Sequence, residues 1–163
     1  MSNHSRVPTH PGMGHFTEQD GKLAKEFGIE ISEACFCTDP ALPGTIIRST
    51  ETDKHPLLVS RSGTPSVKSV IINNGCGVNC NSKGMPVLLF PEGTVDKGPG
   101  GLSAEDKAFA WALETQGGRV LVTGDSGFVG EPNLPGSGPG LLDQRDNVLF
   151  VEQAITWLLD VPG

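Results

Sequence analysis

The segment Gly118-Arg119-Val120-Leu121-Val122-Thr123-Gly124-Asp125-Ser126-Gly127-Phe128 carries the reading of the fold. Val120 to Thr123 is an uninterrupted β-branched and aliphatic run between glycines, as a parallel strand covered on both faces requires. It stops at a Gly-Asp-Ser-Gly turn. Ligands of open α/β sheets gather beyond the carboxyl ends of such strands. Asp125 and Ser126 therefore stand where a site is expected.

Downstream, Glu131 to Gly140 is too rich in proline and glycine for regular structure. Asp146 to Leu159 then has the pattern of an amphipathic closing helix, predicted to turn Phe150, Ile155, Trp157 and Leu158 mainly inward. Upstream, Ser103-Ala104-Glu105-Asp106 offers a serine N-cap and acids in the first turn. This predicts a helix over Ser103–Thr115 that buries Phe109, Ala112 and Leu113 and ends at Gly117-Gly118. Strands are expected at Val67–Ile72 and Pro86–Phe90, separated by the turn-rich NNGCGVNCNSKG of residues 73–84. Pro91 to Gly101 reads as a loop and His55 to Leu58 as a turn or short helix. Thr45–Arg48 reads as a short edge strand, Cys35 to Pro43 as irregular and Ile29–Ile31 as a short alternating strand. A helix near Thr17–Phe27, capped by Thr17 or Asp20, places Leu23, Ala24 and Phe27 on one face, with Gly28 as its stop. Residues 1–15 are polar and rich in Pro, Gly and His, a flexible N-terminal arm before a single domain of residues 16–163.

The blocks GRVLVTGDSGFVG (118–130) and DNVLFVEQAITWLL (146–159) resemble the C-terminal end of the glutamine-amidotransferase-like (class I, flavodoxin-like) superfamily. The resemblance is closest to its non-catalytic branches, such as domains of gliding-motility and intraflagellar-transport subunits. Lys54-His55-Pro56-Leu57-Leu58 and SVKSVIINNGCGV (66–78) resemble the middle of those domains, so the blocks span roughly the last two-thirds of the chain. The resemblance implies a three-layer flavodoxin-like α/β domain with a mostly parallel sheet and Val120–Thr123 at its centre. The chain departs from the family twice. No His or Cys follows Asp125, so the acid/base partner of a cysteine nucleophile is missing from the family's place for it. The front also lacks an opening hydrophobic strand, which reads as a fragment or minimal version without the early strands.

At 163 residues the chain can bury a core without disulfides or metals. Glycine (22) and proline (13) make up about a fifth of it, which implies many turns around a small regular core. A formal charge of −7 argues against nucleic acid and against an anionic membrane surface, since both demand a basic footprint. No apolar run approaches the ~20 residues of a membrane span, and no signal-peptide pattern is present. A cytoplasmic location is the default expectation.

Three groups of residues invite chemistry. Cys35, Cys37, Cys76 and Cys80 total four thiols, but a CxC pair with a CxxxC pair lacks the spacing of structural zinc sites. The sequence favours small, partly buried apolar roles, with no metal and no cofactor. Cys76, between glycines after a strand, has the look of a nucleophile on a tight turn, with His55 as a conceivable base and Asp53 as its orienter. The plainer alternative is a turn that happens to contain a cysteine. Asp125, Ser126, Gly127, Asp146 and Asn147 form the third group. Their N–H groups suit an anion and their oxygens suit Mg²⁺ or Ca²⁺. Equally, Asp125 fastens its loop and Asp146 caps the last helix. Gly124-Asp125-Ser126-Gly127 matches a serine-protease motif by letters alone, since the surroundings read as α/β.

Two classes of function follow. One is a non-catalytic ligand-binding or assembly domain, recognising a small polar ligand such as a sugar, or a protein partner. The other is a small cysteine-dependent hydrolase or amidotransferase-like enzyme using Cys76. The missing C-terminal His favours the first. A sheet short of its first strand leaves an open edge or a bare face, so a two-fold homodimer is expected.

Overall fold

The structure, a computed structural model, describes residues 21–31, 36–37, 44–48, 55–59, 67–72, 75–80, 84–91, 94–96, 108–130 and 141–159. In chain order the elements are helix α1 (21–26) and strands β1 (Ile29–Ile31), β2 (Phe36–Cys37), β3 (Gly44–Arg48), β4 (Ser69–Ile72) and β5 (Val78–Cys80). Strands β6 (Met85–Leu89), β7 (Val95–Asp96), β8 (Ala108–Thr115) and β9 (Gly118–Thr123) follow, then a 3₁₀ turn at Gly127–Val129 and helix α2 (Asn147–Leu158).

The strongest pairing is the β8–β9 hairpin, in register from Ala110 opposite Thr123 to Thr115 opposite Gly118. Its two-residue loop is Gln116-Gly117. Thr115 closes it, the Oγ1 accepting from Gly117 N–H at 3.2 Å and donating to Gly118 O at 3.1 Å. The helix expected over Ser103–Thr115 is thus corrected where the structure describes it. Ala, Leu and Glu in AFAWALET favour a helix locally. Pairing on both edges and burial on both faces override that preference. Ala108, Phe109, Ala110, Ala112 and Leu113 are all buried, now as strand residues.

β8 organises a seven-stranded sheet in the order β1-β5-β8-β6-β3-β4, with β9 also on β8. Every pairing among the described residues is antiparallel. The mostly parallel, three-layer flavodoxin-like α/β fold is therefore overturned. Val120–Thr123 is not central either, because β9 pairs with β8 alone among the described residues. β1 and β3 take their expected places as strands of the sheet, and β3, expected at an edge, lies between β6 and β4. The supposed loops around Cys35–Pro43 and Pro91–Gly101 contribute the small ladder β2–β7. Gly28 does end α1, with φ 72° and its N–H on Lys25 O at 2.9 Å. The N-terminal arm and Glu131–Gly140 lie outside the described residues.

The larger core lies between the sheet and α2. Phe90, Phe109, Phe128 and Phe150 form a relay of ring contacts with centroids 6.0, 5.7 and 6.1 Å apart. Each such pair adds roughly 0.5–1.5 kcal/mol beyond its buried area. A smaller cluster of Ala24, Ile29, Val78 and Cys80 is backed by Trp111, Val120 and Val122. Leu23 and Phe27, expected beside Ala24, are exposed. On α2 the inward residues are Phe150, Ala154 and Trp157, whereas Ile155 and Leu158 face solvent at 53% and 42% exposure. That corrects their expected inward orientation. The buried arc follows Phe150 at positions i, i+3, i+4 and i+7 and leaves Ile155 behind it.

Candidate functional site

One edge of β8 is shared end to end. Ala108 pairs with Val78 of β5, while Ala110 to Thr115 pair with β9. Where the two partners meet, Gly124 N–H donates to Phe109 O at 2.8 Å and Cys76 N–H donates to Gly124 O at 2.9 Å. This fork brings two of the sequence's candidate groups together, since Cys76 lies beside the Gly124-Asp125-Ser126-Gly127 turn. Gly124 is required there. A Cβ would strike the Cys76 carbonyl and approach that residue's N to 3.1 Å.

Asp125 is 1% exposed, and its Oδ2 accepts Gly127 N–H at 2.9 Å. This is an Asx turn, in which a carboxylate substitutes for a backbone acceptor and sets the course of the chain. Thr123 Oγ1 donates to Asp125 O at 3.0 Å, and Ser126 leads into the 3₁₀ turn without a side-chain cap. These contacts fasten the turn from beneath.

Asp146 and Asn147 serve another edge. Asp146 does not cap α2 with its side chain. Its Oδ2 instead accepts Lys68 N–H at 2.7 Å and Ser69 N–H at 3.0 Å, while its own N–H donates to Ser69 O at 3.1 Å. Asn147, fully buried, accepts Ile71 N–H at 2.8 Å. Its Nδ2 donates to the carbonyls of Ile71, Leu141 and Phe128 at 2.9, 2.9 and 3.1 Å. The outward N–H and C=O groups of β4 at Ser69 and Ile71 are thus taken by the Asp146 backbone N–H and by the Asp146 and Asn147 side chains, which together imitate a further strand. An edge left open is a template for aggregation. The five residues expected to form one ligand site hence divide between the fork and the β4 edge.

The residues of the trio Cys76, His55 and Asp53 have the following settings. Asp53 lies outside the described residues. His55 packs on Trp157, ring centroids 5.4 Å apart, and Trp157 O accepts Arg119 Nη1–H at 2.8 Å. Arg119 stands at the opposite end of β9 from Gly124, about 16 Å away at strand rise. Cys76 is at the Gly124 end and is fully buried. His55 Nδ1 accepts Leu57 N–H at 3.2 Å. Burial pushes the His55 pKa below its ordinary 6.5, with Glu114 opposing and Arg119 reinforcing the shift.

The corner around His55 escaped the sequence reading. Arg119 Cζ lies 5.5 Å from the Trp157 ring centroid, a cation–π distance. Its Nε pairs with Glu114 Oε1 at 3.3 Å, the residue opposite it in the hairpin. The available signal was the two-residue Gln-Gly loop between two β-capable runs, which sets Glu114 against Arg119. Among the described residues no three His, Cys, Asp or Glu side chains gather as metal ligands, and no helix is long and apolar enough to cross a membrane. In comparisons with protein-family models, curated proteins and solved structures, nothing matches this chain.

Proposed function

We propose that this chain is a non-catalytic binding and assembly domain that pairs with a second copy of itself through the outer face of α2. The observation that carries this reading is an apolar stripe turned to solvent. Val148, Ile155 and Leu159, at i, i+7 and i+11, are 42%, 53% and 68% exposed, with Leu158 beside them at 42%. An exposed apolar stripe, broken by Glu152 between Val148 and Ile155, on a helix whose other side is already packed marks an interaction surface. Self-pairing suits it because a helix face lying across a two-fold axis meets its own complement. The polar side chains at the fork and at the β4 edge support the non-catalytic half of the reading, since they bind backbone groups that hold loops in place.

The test is sedimentation velocity at micromolar concentration on the wild-type chain and on Ile155→Asp combined with Leu159→Asp. The wild type is expected to be a dimer. The double variant is expected to be a monomer with unchanged circular dichroism, because neither side chain contributes to the core. A stable wild-type monomer sinks the proposal.

A further inference from the structure

The inner face of α2 carries a second feature, one helical turn long. Gln153 is 7% exposed and Trp157 is 4% exposed. Spaced i, i+4, they lie one above the other on the buried side. Among the described residues, neither Gln153 Nε2, Gln153 Oε1 nor Trp157 Nε1 has a hydrogen-bond partner. Buried polar groups are paired in the great majority of folded proteins, and an amide with both ends unpaired is uncommon. The other buried indole nitrogen without a partner, that of Trp111, lies against the other core cluster, so it does not contribute here.

We propose that Gln153 and Trp157 form a buried site for one hydroxyl group, which accepts from the Trp157 indole N–H and donates to Gln153 Oε1. The chemistry of the neighbours selects a neutral group with both donor and acceptor. Two N–H donors exclude a cation. An anion would leave Gln153 Oε1 unanswered, and the Arg119 charge above Trp157 is already engaged by Glu114 and by Trp157 O. His55, packed against Trp157, uses Nδ1 as an acceptor and is held toward its neutral form by burial. A hydroxyl, donor and acceptor at once, answers the indole N–H and Gln153 Oε1 together. It comes from an internal water or from a small polyol or sugar. This inference is independent of self-assembly through the opposite face of α2.

The experiment is NMR on the full ¹⁵N-labelled chain, with the Trp157 indole resonance assigned by Trp157→Phe. A cross-peak from the indole proton to a long-lived water, unmoved by glycerol or glucose, establishes the site with water as its guest. Displacement of the indole and Gln153 amide resonances on adding glycerol or glucose establishes it with a polyol hydroxyl. Gln153→Met, similar in length and without polar atoms, gives a second readout. If a hydroxyl is held, the variant strands it and Tm falls by roughly 2–4 °C, the shift a single such interaction produces in a domain of this size. The absence of a cross-peak and of any shift, together with a Tm that rises in Gln153→Met, would overturn the proposal, because the amide would then be an uncompensated burial.

Discussion

Replacing Asn147 with Ala should be among the most damaging single changes to this fold. The side chain joins β4, the 3₁₀ turn and the segment before α2 by accepting one hydrogen bond and sharing its two amide protons among three carbonyls, all between 2.8 and 3.1 Å. Its removal strands Ile71 N–H in a half-buried setting, at about 1–3 kcal/mol for one unsatisfied donor. Three carbonyls lose a partner as well, although each has two lone pairs and suffers less. With the loss of the packed side chain, the total is roughly 3–5 kcal/mol, a large part of the ~5–15 kcal/mol that holds a domain folded. At roughly 2–4 °C per kcal/mol, Tm should fall by about 10 °C or more. Asn147→Asp sharpens the test. It keeps the acceptor for Ile71 N–H but turns an oxygen toward the carbonyls, so at neutral pH it should be no better than Ala. It should recover partly in acid, where protonation restores one donor. Urea unfolding followed by circular dichroism and tryptophan fluorescence reads both variants. A loss below about 1 kcal/mol in Asn147→Ala, or wild-type stability in Asn147→Asp, would refute the assignment of Asn147 as the pin between sheet and helix.

Two further outcomes are expected. Gly124→Ala should destabilise by about 3 kcal/mol, since its Cβ meets backbone of Cys76 that cannot swing aside, whereas Gly117→Ala, with nothing within 4 Å, should be nearly neutral; thermal melts compare the pair directly. The lowered His55 pKa predicts that its stabilising effect is complete above about pH 6.5 and lost as pH falls toward the folded value, because the unfolded chain takes up the proton first. Tm of the wild type should therefore drop more steeply than that of His55→Gln between about pH 7 and about pH 5, and parallel curves would exclude the effect.

Several parts of the chain announced themselves locally. Gly28 ends α1 because only a residue tolerant of φ 72° suits that stop. The apolar runs at Val67–Ile72 and Pro86–Phe90 became β4 and β6, and Val120–Thr123 became a strand, because β-branched runs between glycines have few other uses. The closing helix followed from its apolar spacing, and Asp125, Ser126 and Gly127 did form a turn. Strand direction and neighbours were a different matter. A buried run has the same composition in a parallel or an antiparallel sheet, so reading Val120–Thr123 as parallel, from its residues and from the flavodoxin-like resemblance, assigned a direction that the residues themselves did not carry. Ala108–Thr115 shows the same limit from the other side: alone it prefers a helix, and only β6 on one edge with β5 and β9 on the other make it a strand. The division of the polar residues was equally unreadable. Asp146 and Asn147 lie about 75 residues from the β4 backbone they hold, and Cys76 lies 48 residues from the Gly124 carbonyl it reaches. Propensity and spacing are local properties of a chain, whereas those partnerships exist only once loop-closure entropy has been overcome and the sheet has formed.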